Sequence, residues 1–211
     1  MEFFGPHHID VLSGIFGSLL GDSYAEKRAG KCRIVLQQEN SNQEYLFGVH
    51  YFLSSRGYCN IEKPKQEKRI GKNNKIRFFL RVRTYSFASF CWLHESFYQD
   101  KLKCIPSREL LLKYLTPIAL TVWICDEGTA TGDGGISIAT NSFSKEDILM
   151  LCEVLYEKYG IIAKPNKIGF SKKDRKQQYC LYIWKRSVPI LITVTSPFIV
   201  PSMLRKLHVK A

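Results

Sequence analysis

The chain has 211 residues, 45% hydrophobic and 24% charged, the composition of an ordinary globular protein with one large domain or two small ones. No apolar run approaches the roughly 20 residues of a membrane helix, and the start MEFFGPHHID lacks the basic and apolar parts of a secretory signal, so an intracellular protein without a membrane span is expected. With 31 Lys and Arg against 19 Asp and Glu, the net charge of +12 creates a positive field that draws polyanions, chiefly nucleic acid.

The first predicted element is an apolar helix, Asp10 to Asp22, in which Gly14, Gly17, Ser18 and Gly21 recur at helical spacing. Each glycine costs a helix about 1 kcal/mol relative to alanine, so a stripe of them implies close backbone approach to a partner helix. A short strand follows with Arg33 and Gln37 on one face. Ser41-Asn42-Gln43-Glu44 has the form of a capping box and opens a helix expected to end at a left-handed cap, Gly57. Residues 63–75 form a basic connection with six Lys/Arg and one Glu. In the strand Ile76–Arg83, Ile76, Phe78, Leu80 and Val82 share one face, expected to pack on a core; Arg77, Arg81 and Arg83 share the other, with Phe79 the exception. Arginine forks grip phosphates or chelate guanine edges, and a β-ribbon fits the major groove. The rival is a solvated face, which would ordinarily mix Glu and Thr with the Arg.

A second helix, Leu115 to Gly128, carries Pro117 in its first turn and a bulkier stripe. Gly135–Thr140 alternates as a strand whose outward face the pattern does not assign. Ser144-Lys145-Glu146-Asp147 is a weaker capping box, opening a helix that ends at Gly160. A basic connection, 164–176, with six Lys/Arg and one Asp, precedes a strand at Tyr179–Trp184. The two boxes, and the two terminal glycines, are each 103 residues apart, so the chain divides into repeats 1–102 and 103–211. Candidate nucleic-acid contacts are Arg33, Gln37, Arg77, Arg81, Arg83, Lys65, Lys68, Arg69 and Lys72 in the first repeat, and Lys167, Lys172, Lys173, Arg175, Lys176, Gln178 and Tyr182 in the second. The seven cysteines include no C-x-x-C pair, which argues for a reducing compartment and against a zinc finger.

Acid stands where a basic protein needs a reason for it. The first helix ends in Asp22 and the second in Asp126-Glu127, at the negative end of each macrodipole. Packed side by side, the helices would bring Asp22 and Glu127 together against like-charge repulsion. A divalent cation resolves both problems: Mg²⁺ binds carboxylate oxygens, keeps several waters and accepts phosphate oxygens. Paired acids under a basic surface suggest metal-assisted phosphodiester hydrolysis.

Ile15-Phe16-Gly17-Ser18-Leu19-Leu20-Gly21-Asp22-Ser23 and Leu120-Thr121-Val122-Trp123-Ile124-Cys125-Asp126-Glu127-Gly128 resemble the two signature helices of the LAGLIDADG homing endonucleases. These helices and Pro201-Ser202-Met203-Leu204-Arg205-Lys206-Leu207 look most like the branch containing the mitochondrial omega-intron endonuclease. Ser23 replaces the usual glycine, Glu127 the commoner aspartate, and Val122 a motif glycine.

The resemblance implies an α+β fold of two pseudo-symmetric αββαββα halves, with paired signature helices and a β-saddle over DNA. It implies that Asp22 and Glu127 bind metal, helped by the carbonyls of Gly21 and Asp126. Gln38 and Asn141 would orient water at the ends of strands, and Lys103 and Lys206 would stabilise transition-state charge. The implied protein is a monomeric, Mg²⁺-dependent, site-specific endonuclease acting on double-stranded DNA at a long asymmetric target and leaving 3′ overhangs. Mn²⁺ would substitute, and Ca²⁺ would support binding without cleavage. The alternative is an intron maturase, which binds intron RNA on the same fold with or without nuclease activity; in either case the resemblance implies a protein encoded in an organelle, mitochondrion or chloroplast.

Overall fold

The computed structural model describes residues 7–71, 74, 76–171 and 175–209. Its first half runs α1 (Ile9–Leu20), β1 (Tyr24–Arg28), β2 (Lys31–Glu39), α2 (Gln43–Ser54), β3 (Gln66–Ile70), β4 (Ile76–Arg83) and α3 (Cys91–Phe97). A small hairpin, β5 (Tyr98–Gln99) and β6 (Leu102–Lys103), and α4 (Arg108–Tyr114) lead into the second half. That half repeats the order with α5 (Pro117–Glu127), β7 (Gly128–Ala130), β8 (Ile136–Ile138), α6 (Lys145–Tyr159), β9 (Ala163–Phe170), β10 (Gln177–Ile183) and α7 (Val188–Thr195). A 3₁₀ segment, Pro201–Leu207, follows. Each half is αββαββα and forms an antiparallel four-stranded sheet, ordered β1-β2-β4-β3 and β7-β8-β10-β9. No helix among the described residues is long and apolar enough to cross a membrane.

The glycine stripe does what its cost implied. At Gly17 an added Cβ would lie 2.2 Å from the carbonyl oxygen of Ala119, so α1 and α5 meet backbone to backbone. Around that contact, Phe16, Leu19 and Leu20 of α1 and Trp123 and Ile124 of α5 join one apolar cluster with inward residues of both sheets, among them Ile34, Leu80, Ile138 and Leu181. All seven cysteines are free, and Cys32, Cys59, Cys125, Cys152 and Cys180 are buried as small apolar groups.

Three expectations change. The weaker capping box is the one that forms: the Ser144 hydroxyl accepts from the Asp147 N–H at 3.0 Å, and the Asp147 carboxylate accepts from the Ser144 N–H at 3.1 Å. Ser41 instead lies in a 3₁₀ turn, Asn40–Asn42, and α2 starts at Gln43 with Asn42 as an N-cap residue that makes no side-chain cap. Both glycine caps form as expected: Gly160 (φ +68°) ends α6, and Gly57 (φ +76°) closes the turn after α2, with its N–H donating to the Ser54 carbonyl and the Tyr58 N–H to the Leu53 carbonyl, each at 3.0 Å. The basic connections are partly strand: β3 lies within the first, and β9 runs from Ala163 into the second. Finally, of the expected core face of β4 only Leu80 and Val82 are buried, while Ile76 and Phe78 are exposed. Residues 76–78 pair with β3 alone, so this end of the ribbon projects beyond the core. Phe79 is buried on the arginine face because the guanidiniums of Arg81 and Arg69 lie over its ring, at 5.0 and 5.9 Å from its centroid.

Candidate active site and nucleic-acid interface

Because α1 and α5 pack so closely, their C-termini deliver acid to one place. Asp22, just past α1, is exposed; Glu127, the last residue of α5, is partly buried and within hydrogen-bonding reach of it. Burial, then the Asp22 charge, pushes the Glu127 carboxyl up to about 7, while Lys103 and Lys206 act in the opposite sense. Loss of hydration also raises Asp126 well above the usual carboxylate range, with Asp22 adding to it.

The raised Glu127 value has a sign that can be measured. Between the ordinary carboxylate value near 4.5 and about 7, the folded state holds a proton at Glu127 that the unfolded state has lost. Stability of metal-free protein is therefore expected to fall as pH rises through that window. Thermal melts in a chelator should show a flatter slope for Glu127→Gln; equal slopes would remove Glu127 as the source.

Gln38, near the end of β2, is 7% exposed and all its polar atoms are engaged. Its Nε2 donates to Asp22 Oδ2 at 3.1 Å and to Asp126 Oδ1 at 3.0 Å, and its Oε1 accepts from Asn42 Nδ2 at 3.0 Å. Asn42 in turn accepts from Arg205 at 2.9 Å, which explains why this N-cap residue does not cap α2. Tyr45, in the first turn of α2, donates its hydroxyl to Asp126 Oδ1 at 2.9 Å. Sequence reasoning missed Tyr45, Asn42 and the Asp126 side chain. Asn141 is not brought into this group: it is exposed, three residues beyond β8, and its backbone oxygen accepts from Gln178 Nε2 at 3.2 Å.

The two lysines occupy matching posts. Lys103 Nζ donates to the carbonyls of Gly21 (2.6 Å) and Ser23 (3.2 Å). Lys206 Nζ donates to those of Cys125 and, at 3.0 Å, Asp126. Each ammonium thus meets the negative end of a signature helix, and burial lowers both pKa values. Among the described residues, no three His, Cys, Asp or Glu side chains form a ready-made metal set. The Asp22 and Glu127 carboxylates and the two backbone carbonyls, with the Asp126 carboxyl beside them, make an oxygen-only set suited to Mg²⁺, which uses few protein ligands and completes its shell with water and phosphate. Gly21 and Asp126 each keep a second carbonyl lone pair beside the lysine.

On the first sheet, strand register places Arg33, Gln37, Arg69, Arg77, Arg81 and Arg83 on one open face. That face is mixed. Arg33 pairs with Glu26 at 2.6 Å, Arg77 with Glu39 at 2.9 Å, and Arg81 and Arg83 approach Glu67 at 3.4 and 3.8 Å. Arg81 also donates to Gln37 Oε1 at 2.8 Å. Exposed pairs of this kind contribute about 0–1 kcal/mol each, so phosphate or a base edge can replace the carboxylate cheaply. Lys65 is exposed near Arg81 and Arg83, whereas Lys68 registers opposite Phe78 and so lies on the other face of the ribbon.

The second sheet is less basic. Ser137, Tyr182 and Lys164 are in cross-strand register on its open face, which settles the outward side of β8. The Tyr182 hydroxyl donates to Asp133 at 2.7 Å, and the Lys164 ammonium lies 4.6 Å from the Trp184 ring centroid. Lys164 was legible only as one charge in a run. Lys167 registers with Tyr179 beside a bulge; Lys167, Arg175 and Lys176 are exposed and Gln178 is half-buried. Lys72, Lys172 and Lys173 lie outside the described residues.

The chain shares 41% identity over 96% of its length with cytochrome b mRNA maturase bI2 of Saccharomyces cerevisiae, and spans about half of that protein (48%). It is 36% identical over 98% of its length to the Debaryomyces hansenii protein of the same name, covering 77% of it. An intron-encoded endonuclease, ai4, of Dictyostelium discoideum is 33% identical over 77% of this chain and is covered over 99% of its own length. Among solved structures, the homing endonuclease I-WcaI bound to its DNA recognition sequence superposes with a TM-score of 0.80 at 22% identity, over 97% of this chain and 88% of that one. Residues 12–191, both signature helices included, match the LAGLIDADG DNA endonuclease family, to which this chain belongs.

Proposed function

We propose that the protein is a monomeric, Mg²⁺-dependent endonuclease that cuts both strands of a long asymmetric DNA site. The observation that carries this is the meeting of Asp22 and Glu127 at the ends of two paired helices, where Asp22 lines a cavity together with Gln37 and Arg69 of the basic first sheet. In this reading Asp22 and Glu127, with the carbonyls of Gly21 and Asp126, hold the metal. Bound Mg²⁺ supplies an activated water and offsets charge on the phosphate. Gln38 orients groups beside Asp22, and Lys103 and Lys206 place ammonium charge where the phosphate becomes more negative. Asn141 takes part only from its exposed loop.

The test is incubation with a randomised duplex library. Targets are first selected by binding in Ca²⁺, whose looser coordination is expected to hold the complex without turnover. They are then exposed to Mg²⁺, with Mn²⁺ as the expected substitute. Double-strand ends with 3′ overhangs at one preferred site are expected; intact selected duplex would overturn the reading. In the same format, Arg81→Ala or Arg83→Ala should weaken binding and relax base preference at adjacent positions, since a bidentate arginine–guanine contact discriminates by about 1–3 kcal/mol. An unchanged base profile for both would reduce these arginines to phosphate or solvent contacts.

A second reading, an organelle intron maturase that binds its intron RNA, is favoured by one observation: the 41% and 36% identical relatives are both named maturases. Retention of Asp22 and Glu127 favours the nuclease, because RNA binding alone needs neither. Adding the precursor RNA of the intron that encodes the chain separates the two activities. Stimulated splicing by Asp22→Asn protein would place the maturase role on a surface independent of the acids.

A further inference from the structure

The two repeats deliver similar acids and similar lysines, but among the described residues only the first braces its centre. In the first half, Gln38 is fixed at every polar atom, donating to Asp22 and Asp126 and accepting from Asn42. Tyr45, 5% exposed, holds the shared Asp126 oxygen from the other side. In the second half, the residues 103 positions on are Asn141, which is exposed, and Ile148, which is fully buried and has no polar atom on its side chain. Gly21 and Asp126, which precede the two acids, are just as unequal. An added Cβ at Gly21 would lie 2.6 Å from both Cβ and Oδ2 of Asp126, so the Asp126 carboxyl crosses toward the first helix through the room that glycine leaves.

We propose that Tyr45 and the Asp126 carboxyl are positioning residues for the Gln38–Asp22 centre, and that the two strands of the target are therefore cut at unequal, separately tunable rates. The inference rests on the nuclease reading. Tyr45 touches neither substrate nor metal in this scheme. Its hydroxyl fixes the Asp126 oxygen that receives the Gln38 amide, and a side-chain amide held in one orientation presents its donor to Asp22 and its acceptor to Asn42. Without the hydroxyl, the ring still packs against Cys125 and Met203, but the amide loses one fixed partner.

Tyr45→Phe removes that bond and keeps the ring. The experiment measures single-turnover cleavage in Mg²⁺ of a duplex selected by Ca²⁺-supported binding, with a different end label on each strand. Loss of one buried hydrogen bond should slow one strand about tenfold. The other strand should stay within about twofold, DNA affinity should be unchanged, and nicked duplex should accumulate. Gln38→Ala should slow the same strand. The ratio of the two strands is taken within one sample, so a partly unfolded preparation cannot produce it. Equal slowing of both strands, no slowing of either, or opposite strands for Tyr45→Phe and Gln38→Ala would overturn the proposal while leaving a cutting wild-type protein a nuclease. A wild-type protein that binds its selected duplex but cuts neither strand would remove the nuclease reading, and this proposal with it.

Discussion

Asp22→Asn and Glu127→Gln are each expected to abolish double-strand cleavage while leaving DNA affinity within a few-fold of the parent. Neutral amides hold Mg²⁺ poorly, and metal stabilisation of phosphoryl charge is worth several kcal/mol, so each loss should be about a thousandfold or more in rate. Binding should survive, because the candidate DNA contacts are carried by the strands, and Asp22 shares its cavity with only two of those described, Gln37 and Arg69. Glu127→Gln carries an opposite consequence for stability. It removes a carboxylate that burial and Asp22 hold at about 7, so the metal-free variant should melt higher than the parent above that pH. Gel-shift, cleavage and melting on one preparation check all three statements. Normal double-strand cutting by both variants would dismiss the metal site; lost binding would place the acids in the fold rather than in the chemistry.

How much of this was legible in the sequence depends on which forces left a local mark. Gly14, Gly17 and Gly21 were informative because glycine in a helix is unfavourable unless space demands it, and the contact with Ala119 is that demand. The pairing of Asp22 with Glu127 followed from the same packing. Strands β3 and β9 were hidden because they are ribbons solvated along most of their length, so neither carries the period-two apolar signal that marks a half-buried strand. Ile76 and Phe78 misled for the converse reason: they alternate as core residues do, yet lie beyond the core. The missing side-chain cap of α2 has its cause in the site, where Asn42 spends both ends of its amide on Gln38 and Arg205. Tyr45 and Asp126 left no local trace, since their bond joins residues 81 positions apart in different halves. Such failures are expected where local preference yields to function.

The largest effect on the fold should come from Gly17→Ala, and Gly14→Ala shows why. Both substitutions replace glycine within α1, and intrinsic helix propensity favours alanine at both by about 1 kcal/mol. At Gly14 the added methyl meets the Phe52 ring edge at 3.4 Å and the Ile118 Cγ2 at 3.9 Å, ordinary contacts with side chains. At Gly17 it would lie 2.2 Å from the Ala119 carbonyl oxygen and 2.7 Å from its Cα, atoms of a backbone that cannot rotate away. The helices must then part along the seam that fills the core of both halves, costing about 3 kcal/mol or more. For a chain of this size that corresponds to a fall of roughly 10 °C in Tm, against a rise of a few degrees for Gly14→Ala. The same separation moves Asp22 away from Glu127, so Gly17→Ala should also lose cleavage below its melting temperature while Gly14→Ala keeps it. Melting temperatures that shift together, in either direction, would mean that α1 and α5 do not meet at Gly17, and the account of how the two acids are brought together would fall with that contact.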